Sequence, residues 1–193
     1  ILDDVQRLDR LISDISDASR LDAELSRAQN APVGLSRLLD ALVEVEGATS
    51  KERGGPSYAI ELPTTADGSS DPLTIHGLEG RLGQVFRNLL ANAATFSPAD
   101  GTIRVTARRR DGWVQVAVDD DGPGVPENKL TAIFERFYTE RPKDEKFGTH
   151  SGLGLSISQQ IVEAHGGTVA AENRRDAQGR IAGARFTVWL PAE

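Results

Sequence analysis

Two asparagines four residues apart, Asn88 and Asn92 in "FRNLLANAATFS", lie on one edge of any helix that carries them. Asparagine is a mediocre helix former because its amide competes for backbone hydrogen bonds, so such a pair is either exposed and incidental or assigned to a ligand. Further on, "VQVAVDDDGPGVP" places three carboxylates, Asp119 to Asp121, where a strand ends, and Gly122 and Gly124 allow a tight turn with exposed backbone. A buried carboxylate must be paired or hydrogen-bonded, and the amino group of a flat heterocycle such as adenine is a suitable donor. Asp121, immediately before Gly122, is the one this turn is expected to aim inward; a plain acidic turn is the alternative. A third stretch, "GTHSGLGLSIS", sets Gly148, Gly152 and Gly154 ahead of a helix whose backbone N–H groups could receive phosphate oxygens. On its own that loop is weak, since it fits neither G-x-x-x-x-G-K-[ST] nor G-x-G-x-x-G after a strand.

The elements that must position these residues are legible in the hydrophobic periodicity. "LEGRLGQVFRNLLANAATFS" reads as a long amphipathic helix with Leu82, Val85, Phe86, Leu89, Leu90 and Ala93 as its buried stripe and the two asparagines on the flank. "TIRVTARRR" and "WVQVAVDDD" alternate apolar and polar residues around "DG", a hairpin signal. "VGLSRLLDALVEVEG", "PENKLTAIFERF" and "LGLSISQQIVEAHGG" read as helices, and "YAIELP", "LTIHG", "GTVAAEN" and "GARFTVWLP" as strands. The polar segment after Phe134 and Phe137 is long enough to form a mobile lid. Ahead of "NAPVG", Ile1, Val5, Leu8, Ile12 and Ile15 repeat at heptad spacing, the seam of a helix that packs against other helices. Two units are expected: a helix over 1–29 and one α/β domain over 30–193.

Composition narrows the function classes. With 22 Lys and Arg against 29 Asp and Glu the net charge is −7, the wrong sign for nucleic acid or an anionic membrane surface. The absence of cysteine excludes thiol redox chemistry and thiolate metal sites. No apolar run approaches the roughly 18 residues of a spanning helix. The start at Ile1, with no methionine anywhere, suggests a fragment excised from a longer protein.

Taken in order, the Asn pair, D-x-G-x-G after a strand, F-x-x-F and G-x-G before a helix resemble the catalytic domain of the histidine kinases. The matching N, G1, F and G2 boxes are "NLLANAATFS", "DDDGPGVP", "FERFY" and "SGLGLS". The resemblance implies an α+β fold, the Bergerat (GHKL) two-layer α/β sandwich with a mixed sheet shared with gyrase and MutL. It also likens 1–29 to the second helix of a dimerisation hairpin, hence part of a four-helix bundle and a homodimer in the intact protein. Carried over by position, it implies that Asn92 binds Mg²⁺, Asn88 contacts phosphate and Asp121 binds the adenine amino group of ATP. Gly122 and Gly124 would shape the base pocket, and Gly152, Leu153 and Gly154 would receive the phosphates. Phe134 and Phe137 would anchor the lid, with Arg136, Arg141 and His150 as candidate phosphate contacts.

The implied activity is transfer of the γ-phosphoryl group of ATP to a histidine outside this chain, and onward to the receiver domain of a response regulator. The implied setting is the cytoplasmic part of an inner-membrane sensor, itself touching no membrane. Relatives with ATPase activity carry Glu where Asn88 stands, and an amide cannot be that base, so transfer is expected over hydrolysis. The family's acceptor His is absent: His76 ends a strand, His165 ends a helix and is expected to serve its dipole, and His150 sits in the glycine loop. The rival readings are a GHKL ATPase, a serine kinase of the anti-sigma type, and a silent nucleotide-binding scaffold.

Overall fold

A computed structural model describes residues 30–64, 71–136, 138 and 152–193. The heptad helix over 1–29, the lid segment, Phe137, Arg141, Gly148 and His150 lie outside the described residues. Among these residues are seven strands, β1 (Ala31–Gly34), β2 (Ser57–Glu61), β3 (Thr74–Gly77), β4 (Thr102–Arg110), β5 (Trp113–Asp119), β6 (Thr168–Arg175) and β7 (Ile181–Pro191), interspersed with three α-helices, α1 (Leu35–Glu52), α2 (Glu79–Phe96) and α3 (Gly154–Ala164).

Five strands form a mixed sheet in the order β2-β4-β5-β7-β6, with β2 parallel to β4 and every other pair antiparallel. The α+β sandwich with a mixed sheet is therefore as expected. Alternation fixes which face is covered: Ile103 and Val105, Val114, Val116 and Val118, and Phe186, Val188 and Leu190 are all nearly inaccessible and pack with the helices. The β4–β5 turn is the expected two-residue "DG", both residues at positive φ (Asp111 52°, Gly112 79°), as a tight hairpin requires.

Helix α2 is the spine of the helical layer. Leu82, Val85, Phe86, Leu89, Leu90 and Ala93 are at most 1% exposed, and each large one contributes about 1.5–3 kcal/mol through burial. Helix α1 has no capping side chain of its own; Asp71 supplies the acceptor from a distant segment, taking the Ser36 N–H at 3.0 Å and the Ser36 hydroxyl at 2.6 Å.

Two expectations need correction. "NAPVG", read only as a break, contains β1, which pairs antiparallel with β3; a four-residue strand carrying a proline gives too little pattern to see. "PENKLTAIFERF", read as a helix, forms two separate 3₁₀ turns at Glu127–Lys129 and Ala132–Phe134. Ile133 and Phe134 are adjacent and both buried, and Phe134 meets Phe186 edge-on at 6.4 Å between ring centres, so tertiary packing overrides helical propensity here.

Candidate functional site

The three carboxylates that end β5 have three different surroundings. Val114, Val116 and Val118 point into the helical layer, and with a period of two Asp120 continues that inward series while Asp119 and Asp121 fall on the opposite face. Asp119 is held in a two-pronged pair by Arg185, at 2.6 and 2.7 Å. Asp121 accepts from Arg104 at 2.9 Å, from Arg174 at 2.9 Å and from the Thr102 N–H at 2.9 Å. Asp120 is 2% exposed, and its Oδ1 takes the N–H groups of Gly122 at 2.8 Å and Ala184 at 3.0 Å. The inward carboxylate is thus Asp120 rather than Asp121; proximity to the glycine is a poorer guide than strand alternation.

Charge follows this division. Burial would raise the Asp121 carboxyl, but hydrogen bonds from Arg104, the Thr102 N–H and Arg174 bring it down to about 2. For Asp120 burial wins, and its carboxyl is held above the ordinary range despite the two N–H donors. Both donors converge on one oxygen, so a further donor arriving at Asp120 would satisfy a carboxylate that the described residues leave half-served.

The turn that follows is closely fitted. A Cβ on Gly122 would lie 2.7 Å from the Phe96 carbonyl oxygen, at the end of α2, and one on Gly124, whose φ is +76°, would lie 2.6 Å from Oδ1 of Asn173. Helix α2 therefore touches the acidic turn at its C-terminal end. Two turns back, Asn88 donates its amide to the Gly154 carbonyl at 3.1 Å and to the Ser158 hydroxyl at 3.2 Å, which ties α2 to the start of α3. The eight residues from Asn88 to Phe96 span about 12 Å along the axis.

Asn92 is half-buried and makes no hydrogen bond among the described residues. Gly152, at φ +70°, and Leu153, 2% exposed, lead directly into α3 at Gly154. Phe134 is buried, and Arg136 is exposed. Asp120, Gly122, Gly124, Asn88, Asn92, Gly152, Leu153 and Gly154 thus belong to segments that meet around α2. His165 does more than end a helix: its Nδ1 bonds the Ile161 carbonyl at 2.7 Å and its Nε2 accepts the Leu78 N–H at 3.0 Å, joining α3 to the entry of α2. Sequence reading missed Asn173 and Arg174, which also hold the acidic turn. Their partners are about 50 residues away in the chain, and only the β6–β7 register brings them together.

A mixed sheet covered by helices, an inward carboxylate at a glycine turn and an asparagine bonded to the start of a glycine-led helix define an ATP-binding domain, and the chain belongs to the family described as histidine kinase-, DNA gyrase B- and HSP90-like ATPases, matched over residues 77–193. Among individual relatives, it is 50% identical to the sensor protein ChvG of Rhizobium meliloti (strain 1021) over 98% of this chain and 33% of that protein. It is 35% identical to the signal transduction histidine-protein kinase BaeS of Escherichia coli (strain K12), over 98% of this chain and 38% of that one. Full-length ShkA, solved in complex with AMPPNP, superimposes with a TM-score of 0.71 at 31% identity, covering 95% of this chain and 36% of ShkA. The chain thus spans between 33% and 38% of the length of the two curated relatives.

Proposed function

We propose that this chain is the ATP-binding catalytic part of a two-component sensor histidine kinase, transferring the γ-phosphoryl group of ATP to a histidine outside it. Asp120 accepts the adenine amino group, in the place the sequence suggested for Asp121. Gly122 and Gly124 keep the turn thin enough for the base to approach it, and the start of α3, with Gly152, Leu153 and Gly154, receives the phosphates. Asn88 and Asn92 line the path between.

The observation that carries this reading is the buried Asp120 carboxylate with its two N–H donors on one oxygen. Transfer is favoured over hydrolysis by Asn88, whose amide is spent on Gly154 and Ser158 and which cannot take a proton from water. Catalysis then rests on positioning and charge neutralisation.

The residues present fit a magnesium ion that travels with the nucleotide. No cluster of three or more His, Asp or Glu among the described residues could hold one, and Asn92 offers an amide oxygen with no partner among those residues. Mg²⁺ favours oxygen ligands and takes few from protein, so the phosphates and water supply the others and the ion would neutralise phosphate charge. Arg136, Phe134 and the residues Phe137, Arg141 and His150 are proposed to serve the lid and the phosphates. In the whole protein, the helix over 1–29 would pair with a second copy, the domain over 30–193 would face the cytoplasm of a membrane-anchored sensor, and a response regulator would receive the phosphoryl group. Among the described residues no helix is long and apolar enough to cross a membrane.

The test is to incubate the chain with γ-labelled ATP, Mg²⁺ and a separately made helical hairpin carrying the acceptor histidine of a relative. Acid-labile label should accumulate on the hairpin and not on this chain, with little free phosphate. Rapid phosphate release that ignores the hairpin would instead identify an ATPase, and nucleotide binding with neither product a silent scaffold.

A further inference from the structure

The acidic turn is joined to the sheet through β5 but is held by β6, two strands away. In the sheet order β5-β7-β6, Arg174 of β6 pairs in register with Gly183 of β7, next to a β-bulge between Arg174 and Arg175. A Cβ on Gly183, whose φ is +140°, would lie 1.9 Å from the Asp120 carbonyl oxygen and 3.1 Å from Nη1 of Arg174. The missing side chain is what lets the guanidinium cross β7 and meet the turn. Nη1 of Arg174 donates to the Asp120 carbonyl at 2.6 Å and to Oδ1 of Asp121 at 2.9 Å. From the neighbouring residue, Asn173 closes on both backbone groups of Val125, accepting its N–H and donating to its carbonyl, each at 2.7 Å. Arg175 adds a pair with Glu127 at 2.6 Å.

Consecutive side chains of "NRR" therefore grip the beginning, the middle and the end of the segment 120–127. Two of the residues between are glycines, which on their own would leave the direction of the Asp120 carboxylate loosely set. We infer that Arg174, with Asn173, is a positioning residue for base recognition: reaching over Gly183, it fixes the Asp120 peptide and thereby the aim of its carboxylate at the purine amino group. The inference rests on the proposal that Asp120 is the base-binding carboxylate. Arg174 has the shape for this work, because a planar guanidinium can serve a carbonyl and a carboxylate together, whereas an ammonium acts as a point charge.

The experiment compares ATP with purine riboside triphosphate, which lacks the exocyclic amine, by equilibrium binding to the 193-residue chain with Mg²⁺. In the wild type ATP should bind more tightly by about tenfold or more, the value of a hydrogen bond to a charged acceptor, and Asp120→Asn should bring the ratio close to unity. Arg174→Gln should also lower the ratio, through weaker ATP binding, while the affinity for purine riboside triphosphate stays at the wild-type level. Arg174→Lys should recover only part of it. A residue that merely supports the fold would weaken both ligands alike, and an unchanged ratio in a folded Arg174→Gln overturns the inference while leaving Asp120 in place. A ratio that Asp120→Asn does not alter overturns the base-binding assignment and the inference with it. Should Arg174→Gln fail to fold, Arg174→Lys decides the question on the same ratio.

Discussion

The two ends of the candidate site are built on opposite plans. At the base end the carboxylates of Asp119 and Asp121 are already neutralised by Arg104, Arg174 and Arg185, and the turn is clamped by Asn173. Of the three carboxylates, Asp120 is the one that the described residues leave with capacity to spare. At the phosphate end Asn88 spends its donors on Gly154 and Ser158, and Asn92 bonds to nothing among the described residues. On the proposed assignment the base end is finished before a nucleotide arrives, which keeps the ordering cost of recognition small, whereas the phosphate end would be completed by the ligand and its metal. A purine offers few hydrogen-bonding groups and needs a rigid partner; a triphosphate brings its own charge and its own ion.

The comparison is broken most directly at Gly183. Alanine there must displace the Asp120 carbonyl, whose oxygen the new Cβ would meet at 1.9 Å, and must hold φ near +140°. Clash and backbone strain together should cost about 3 to 5 kcal/mol. Gly179→Ala is the matched control: its φ is +78° but nothing lies within 4 Å, so it carries only the left-handed penalty of about 1–2 kcal/mol. Denaturant melts of the two variants read the difference. Equal losses would show that the β7 crossing point is not tightly packed, and the rigid base end would lose its chief structural support.

Asp120 and Asp121, adjacent in the chain, should respond to acid in opposite senses. Asp121 titrates at about 2 when folded against an ordinary 3.8, so its contribution to stability is complete above about pH 4 and is lost as pH falls towards 2. Asp120 is shifted upward, so protonation relieves it and acid does not subtract its share of stability. The stability difference between wild type and Asp121→Asn, measured by urea melts across this range, should be constant above pH 4 and shrink below it. A difference that does not change with pH would mean that Arg104 and Arg174 do not hold Asp121 in solution.

Much of this architecture was legible from residue patterns, and the gaps have a common cause. The stripe of α2, the "DG" hairpin and the glycine-led start of α3 are local, and each is where the periodicity puts it. The choice between Asp120 and Asp121 was also in the sequence, because Val114, Val116 and Val118 set a phase that Asp120 continues. What no local pattern holds is the assignment of Arg104, Arg174 and Arg185 to their carboxylates. That depends on the registers Arg104↔Asp119, Asp119↔Arg185 and Arg174↔Gly183, the last of them the final pair before a bulge. The two 3₁₀ turns at Glu127–Lys129 and Ala132–Phe134 were hidden for a similar reason: Phe134 has its partner, Phe186, on a distant strand.

The smallest expected effect separates the two asparagines at the unfinished end. Asn88→Ala removes both bonds that tie α2 to α3 and should cost about 1 kcal/mol of stability as well as weakening ATP binding. Asn92→Ala removes no hydrogen bond among the described residues, so its stability should stay within about 0.5 kcal/mol of wild type. Its loss should fall on the metal instead, with the gain in ATP affinity on adding Mg²⁺ reduced and the metal-free affinity retained. Thermal melts together with ATP titrations at zero and saturating Mg²⁺ resolve the two outcomes. Were Asn92→Ala to unfold more readily than Asn88→Ala while keeping its Mg²⁺ response, the amide would be a packing element, and the phosphate end would be as self-sufficient as the base end.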